Sequence, residues 1–170
     1  MREIPIFTFI NKMDRPGRDP LELLDEIEKE LELLPWAVNW PIGSGENFRG
    51  VIDRRSRQVT LFERAERGRQ ATERTLAADD PELRELVETD LLDQALEELE
   101  LLIEAGAELD LELVHAGEQT PVFFGSAMTN FGVRPFLNAF LELAQQPVAR
   151  QSHEGPIDPL RPEFSGFVFK

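Results

Sequence analysis

Ile4-Pro5-Ile6-Phe7-Thr8-Phe9-Ile10, running straight into Asn11-Lys12-Met13-Asp14, is the stretch on which the reading of this chain turns. The first seven residues are rich in β-branched and aromatic side chains without polar alternation. They suit a strand covered on both faces, as in a parallel sheet. The chain turns polar at Asn11, so an N-K-x-D tetrapeptide falls at the carboxyl end of that strand, where open α/β sheets bind ligands. Asn and Asp are also ordinary turn residues, and the tetrapeptide gains weight only from its context. That context is a second apolar strand, Val122-Phe123-Phe124, introduced by Pro121 and followed by Gly125-Ser126-Ala127-Met128 and a helical stripe. Two such strand ends can face one pocket.

Working outward, Asp19-Pro20-Leu21-Glu22 has the signature of a helix start: Asp19 as N-cap, Pro20 in the first turn and Glu22 completing a capping box. Leu21, Leu24, Ile27, Leu31 and Leu34 follow at helical spacing, with Pro35 as the stop. Trp36 to Ile42, Phe48 to Asp53 and Gln58 to Phe62 read as short strands, separated by Gly43-Ser44-Gly45 and by the polar turn Arg54 to Arg57. Residues 63–80 are polar and read as loop or frayed helix. Leu83, Leu86, Val87, Leu91, Ala95, Leu99 and Leu102 predict one or two amphipathic helices ending near Gly106, and a further helix from Ala107 to Ala116 closes at Gly117. Phe136, Leu137, Phe140, Leu141 and Leu143 form a stripe up to Pro147; residues 146–163, with four prolines, read as a linker, and Phe164 to Lys170 starts a third strand. The order predicts an α/β core interrupted by an inserted α+β unit.

The charge sharpens this picture. Lys and Arg number 18 against 33 Asp and Glu, for a net charge of −15, which argues against a free-standing nucleic-acid binder. Residues 79–120 hold fifteen acids and one base, Arg84, whereas residues 49–74 hold eight Arg against four acids. A sign reversal between neighbours suggests separate structural units, with both blocks facing water or the Arg-rich one meeting RNA within a larger assembly. There is no Cys, and His115 and His153 are the only imidazoles, one near a helix end and one in the linker, both expected at the surface. Trp36 and Trp40 are expected to be packing residues, and Glu97 and Glu98 to lie on an exposed helical face. There is no G-x-S-x-G elbow and no metal-ligand spacing. No apolar run approaches the roughly 18 residues of a membrane span, and the start lacks the marks of a secretory signal. A soluble, cytoplasmic protein without a membrane partner is expected.

With N-K-x-D and S-A-x at two strand ends, the sequence resembles the translational GTPases, in which such loops recognise the guanine of GTP or GDP. The resemblance implies a site made by Asn11, Lys12, Asp14, Ser126, Ala127 and Met128. The chemistry suits those residue types: Asp14 can accept from the ring N1–H and exocyclic N2–H of guanine, while backbone N–H groups around Ser126 and Ala127 can donate to O6. Adenine offers the wrong pattern, and sites of this kind reject the mismatched partner by roughly 10⁴ to 10⁵. Lys12 can lay its stem along the base, and Asn11 can hold the two loops in register. Asp14-Arg15-Pro16-Gly17 also spells D-x-x-G, but the Asp of that switch loop serves metal and γ-phosphate from a different strand and cannot also read the base.

The resemblance then narrows. TFINKMDRPGRDPLELLDEIEKEL, NWPIGSGENFRGVIDRRSRQVTLFER, TPVFFGSAMTNFGVRPFLNAFLELA and FSGFVFK together look like the bacterial peptide chain release factor 3 family. Elongation factor G shares P-I-G and F-x-G-V-x-D, but the spacing to S-A-M, the N-F-G-V after it and the ending S-G-F-V-F-K are closer to the release factor. The resemblance implies a GTPase that works on the ribosome, promotes recycling of the class-I release factors and uses Mg²⁺. It implies the C-terminal part of a P-loop, Rossmann-like GTPase domain: residues 1–35 and 120–146 carry the guanine loops, 36–119 form the inserted subdomain, 147–163 a linker and 164–170 the first strand of a following β-barrel. The sequence contains no G-x-x-x-x-G-K-[ST], and Gly43-Ser44-Gly45 lacks the Lys and hydroxyl residue that hold phosphate and Mg²⁺. The family's switch segments and its D-x-P-G-H loop with the catalytic His are also missing. The chain is therefore expected to begin at the family's fifth core strand as an internal piece, without catalytic residues, metal ligands or hydrolysis of its own. The competing expectations are a non-enzymatic module docking on a ribosomal protein, and a segment of an elongation-factor-G-like translocase.

Overall fold

The computed structural model describes residues 4–63, 72–106, 108–144, 149–153, 155–164 and 166. In chain order the elements are β1 (Thr8–Ile10), α1 (Pro20–Leu31), β2 (Leu34–Ala37), β3 (Asn39–Ile42), β4 (Gly50–Asp53), β5 (Gln58–Glu63), β6 (Thr72–Ala77), α2 (Leu83–Leu86), α3 (Thr89–Ala105), α4 (Leu111–Ala116), β7 (Gln119–Phe124), α5 (Val133–Leu143), β8 (Arg150–Ser152) and β9 (Gly155–Ile157). Three of the strands form a parallel sheet in the order β1-β7-β2, and four form an antiparallel sheet, β3-β4-β5-β6.

Full burial on both faces belongs to β7, all six of whose residues are buried between its two neighbours. The first strand is shorter than its apolar run: pairing begins at Thr8, and Ile4 and Ile6 are exposed, because β1 is an edge of the sheet. The hydroxyls of Thr8 and Thr120 meet at 2.9 Å across that pairing.

Asp19 caps α1 as expected, its Oδ1 accepting from Leu21 N at 2.8 Å, with Pro20 in the first turn. The helix stops earlier than Pro35, however. Glu32 adopts φ 54 and closes the helix by donating to Glu28 O, after which Leu34 and Pro35 pair with Gln119 and Thr120 in β2. Pro35 is tolerated there because β2 is the other edge of the sheet. Only Leu24 and Ile27 of the stripe are buried, and Leu31 and Leu34 are exposed.

The run Trp36 to Ile42 is two strands. Val38 N donates to Val122 O at 2.8 Å, the last backbone bond on that side of β7. The Asn39 main chain then pairs with Asp53 in the second sheet, while its buried side chain stays behind. Its Oδ1 accepts from Phe124 N at 2.7 Å and its Nδ2 donates to Phe124 O at 3.2 Å. The carboxamide thus stands in for one more peptide group of β2, and the chain leaves the sheet without stranding a buried donor or acceptor.

In the second sheet Trp40, Ile42, Ile52, Val59 and Leu61 are buried on the face that α3 covers with Leu92, Ala95 and Leu99, while Val51 is buried on the opposite face. Trp40 Nε1 donates to Glu98 Oε2 at 2.9 Å, so Glu98 is a half-buried partner, while Glu97 is exposed. Residues 72–77 form β6 against β5, where a loop or frayed helix was expected; an edge strand open to water on one face keeps polar residues. The polar stretch before it, residues 64–71, lies outside the described residues.

The oppositely charged blocks do not form separate units. Arg49–Glu88, Arg57–Glu100 and Arg74–Glu82 bridge the Arg-rich sheet to the acidic helical region at 2.9, 2.6 and 2.6 Å. Each such exposed pair adds at most about 1 kcal/mol, and together they tie the Arg-rich sheet to the acidic helical region. Arg54 donates to Leu102 O at the end of α3 and lies 4.7 Å over the buried Trp36 ring.

Helix α4 starts at Asp110, whose carboxylate accepts from Glu112 N and Leu113 N, and ends at Gly117 with φ 75. His115 is half-buried rather than at the surface, its Nε2 lying 3.1 Å from Leu143 O, which joins α4 to α5. His153 is exposed. In α5 the predicted stripe is real, but none of its residues is buried; Phe136 packs edge-on against Phe9 and Phe123, while Leu137 and Leu141 are exposed. The expected linker contains a hairpin, β8 paired with β9. Of the expected strand from Phe164, only Phe164 and Gly166 lie within the described residues. No helix among the described residues is long and apolar enough to cross a membrane.

Candidate nucleotide site

The parallel pairing of β1 with β7 sets Ile10 opposite Phe124, so the two strand ends and the loops leaving them are neighbours. Three hydrogen bonds tie the loops together. Gly125 N donates to Ile10 O at 3.0 Å, Met13 N donates to Gly125 O at 3.1 Å, and Ala127 N donates to Asn11 Oδ1 at 2.9 Å. The same Asn11 oxygen accepts from Lys12 N at 2.8 Å. Asn11 therefore holds the loops in register through its carboxamide oxygen. Lys12 is exposed in the left-handed region at φ 70, and Arg15 N closes a tight turn onto Lys12 O at 3.0 Å.

The second loop is folded back on itself. Ser126 N donates to Phe131 O and Phe131 N to Ser126 O, at 2.9 and 2.8 Å, with Asn130 N bonded to Ala127 O across the turn and Met128 exposed at its tip. Gly125 must be glycine here: a Cβ would lie 2.4 Å from Phe131 O and 2.8 Å from the Phe9 ring.

Two polar atoms in this constellation are buried without a hydrogen-bond partner, Asp14 Oδ1 and Ser126 Oγ. A buried carboxylate oxygen without a donor costs on the order of 1–3 kcal/mol; Oδ1 is closed off, and the half-exposed remainder of the Asp14 carboxylate is the part that faces outward. The amides of the second loop are partly taken. The N–H groups of Ser126 and Ala127 already donate to Phe131 O and Asn11 Oδ1, and Met128 N–H is the next amide of the loop, without a partner among the described residues. Asn11, Lys12, Ala127 and Met128 are exposed, Asp14 is half-buried and Ser126 is buried. A cavity of about 330 Å³ lies beside them, lined by Arg18, Asp19, Ser44, Asn47 and Gln94, and none of the six contributes to it.

Sequence reasoning missed three contributors. Met13 is buried and uses its N–H on the second loop and its C=O on Gly45 of the inserted unit, at 2.8 Å. Phe131 closes the Ser126 turn, and Gly45 reaches across from the insertion. Only the Gly43-Ser44-Gly45 cluster carried a readable signal, a loop in which positive φ is used.

The family model of the elongation factor Tu GTP binding domain matches residues 1–146. The chain belongs to that family. The α/β fold with its parallel sheet is accordingly part of a translational GTPase domain. Among curated relatives, peptide chain release factor 3 of Synechococcus elongatus is 66% identical, the match covering 100% of this chain and 31% of the relative. Peptide chain release factor 3 of Gloeothece citriformis is 60% identical, covering 100% and 32%. The chain thus spans about a third of the length of the curated relatives it matches. Among solved structures, a protein from Thermus thermophilus matches with a TM-score of 0.54 at 25% identity, over 84% of this chain and 22% of that one. The similarity to release factor 3 therefore runs the whole length of the chain, and Asn11 to Asp14 and Ser126 to Met128 lie inside the GTP-binding family match.

Proposed function

We propose that this chain is the base-reading half of the nucleotide site of a cytoplasmic translation-termination GTPase, one that promotes recycling of the class-I release factors on the ribosome. The observation that carries the reading is the half-exposed Asp14 carboxylate set beside two strand-end loops locked together by Asn11. In this reading Asp14 accepts from N1–H and N2–H of guanine, Met128 N–H donates to O6, and Lys12 covers a face of the ring. Residues 1–35 and 120–146 carry the guanine loops, residues 36–119 form an inserted subdomain behind them, 147–163 link onward, and 164–170 open a β-barrel domain. Phosphate and Mg²⁺ contacts belong to segments beyond these 170 residues, and they supply the charge stabilisation that phosphoryl transfer requires.

The chain alone is therefore expected to bind GDP only weakly, through the base, and to leave GTP intact. A fluorescent-GDP titration and a phosphate-release assay check this. Sub-micromolar affinity, or turnover above the buffer rate, overturns the division of labour proposed here.

A further inference from the structure

The inserted unit touches both guanine loops, and each contact falls on an atom that sets the geometry of the base site. On the first loop, Gly45 N donates to Met13 O at 2.8 Å. That carbonyl belongs to the peptide plane immediately before Asp14, so the bond fixes the plane from which the Asp14 side chain departs. Gly45 sits at φ 62, and a Cβ on it would come within 3.3 Å of Pro16 N, so the two loops are in close backbone contact. On the second loop, the Phe62 ring stacks on Phe131 at 4.4 Å, with Phe48 at 6.2 Å from the same ring. Phe131 is the residue whose backbone closes the Ser126 turn. Phe48 follows directly on the 3₁₀ turn Gly45–Asn47, and its N–H donates to Gly45 O at 3.2 Å. One short segment, Gly45 to Phe48, thus bears on Asp14 from one side and on the Ser126 turn from the other.

We propose that the Gly45–Phe48 segment of the inserted unit is a positioning element for base recognition, which couples the placement of the insertion to guanine affinity. The inference rests on the guanine reading above. Linkage makes the coupling reciprocal: a base that settles Asp14 and the Ser126 turn also settles Gly45, and an event that shifts the insertion alters base affinity. The residues concerned contribute no atom to the base. Gly45, Phe48 and Phe62 act through Asp14 and Phe131.

The test is amide hydrogen exchange by NMR on the 170-residue chain, with and without saturating guanosine monophosphate. Exchange at Gly45 and Phe48 is expected to slow by roughly threefold or more, alongside Met13 and Phe131. Slowing at the guanine loops without any at Gly45 and Phe48 overturns the coupling and leaves the base reading intact. No response at Met13 and Ala127 removes the base reading and the coupling with it. A second readout is Gly45→Ala, strained at φ 62 and pressed against Pro16. Inosine monophosphate lacks the N2 amine, so its affinity relative to guanosine monophosphate reports how well Asp14 is aimed. In the wild type that ratio is expected near tenfold, and in Gly45→Ala it is expected to fall to roughly two- or threefold. A Gly45→Ala chain with lowered thermal stability but an unchanged ratio shows a merely structural contact and overturns the proposal.

Discussion

Asp14→Asn is expected to turn the site from guanine toward xanthine. Guanine presents two donors to this position, N1–H and N2–H, and an ionised carboxylate accepts both. The Asn amide offers one acceptor and one donor. Against guanine its NH₂ meets another N–H, whereas xanthine keeps N1–H and replaces the amine with a carbonyl oxygen, which the amide can satisfy. The buried oxygen at Asp14 has no protein partner to compensate for the change. One matched and one mismatched buried bond exchange places, so the ratio of guanosine to xanthosine monophosphate affinities is expected to move by roughly 10² to 10³. Parallel titrations of wild type and variant with both nucleotides measure it. A variant that weakens both nucleotides equally contradicts the role assigned to Asp14.

The largest effect on stability is expected at Asn39. Its carboxamide satisfies both backbone groups of Phe124 in the fully buried central strand, and no water reaches them. Asn39→Ala strands a buried N–H and a buried C=O, each costing about 1–3 kcal/mol, for a loss of about 2–6 kcal/mol. That is a large part of the roughly 5–15 kcal/mol that holds a typical domain together. Asn39→Leu separates polarity from packing: it fills the volume but offers no hydrogen bond, so it is expected to be no more stable than Asn39→Ala. Urea unfolding of the three chains checks this, and recovery of wild-type stability in Asn39→Leu contradicts it.

The legible parts of this molecule are those that local chemistry dictates. Apolar runs ending at Asn11 and Gly125 located the two strand-end loops, and the resemblance to the translational GTPases suggested Asn11 as their link, a side chain that composition alone reads as an ordinary turn residue. Asp19 and Gly117 marked helix ends through capping rules that involve only neighbouring residues. What escaped depends on contacts distant in sequence. The end of α1 was misplaced because Pro35 reads as a stop, whereas the left-handed Glu32 closes the helix and releases Pro35 to an edge strand. That the amides of Ser126 and Ala127 are already taken by Phe131 O and Asn11 Oδ1 was not legible either, because neither bond is visible without the folded turn. Asn39 reads as a polar residue inside a single strand from Trp36 to Ile42, and only the crossing between two sheets makes its side chain part of a ladder. The oppositely charged blocks looked like separate surfaces until Arg49, Arg57 and Arg74 were seen against Glu88, Glu100 and Glu82.

The central claim, that Asp14 and the two loops around it read guanine, is tested most directly by ¹⁵N-resolved NMR of the 170-residue chain titrated with guanosine monophosphate and, separately, with adenosine monophosphate. Saturable shifts at Asn11, Lys12, Asp14, Ala127 and Met128 with the guanine nucleotide, and none with the adenine nucleotide, are the result predicted. Equal responses to the two nucleotides, or shifts elsewhere that leave these five amides unmoved, would contradict it.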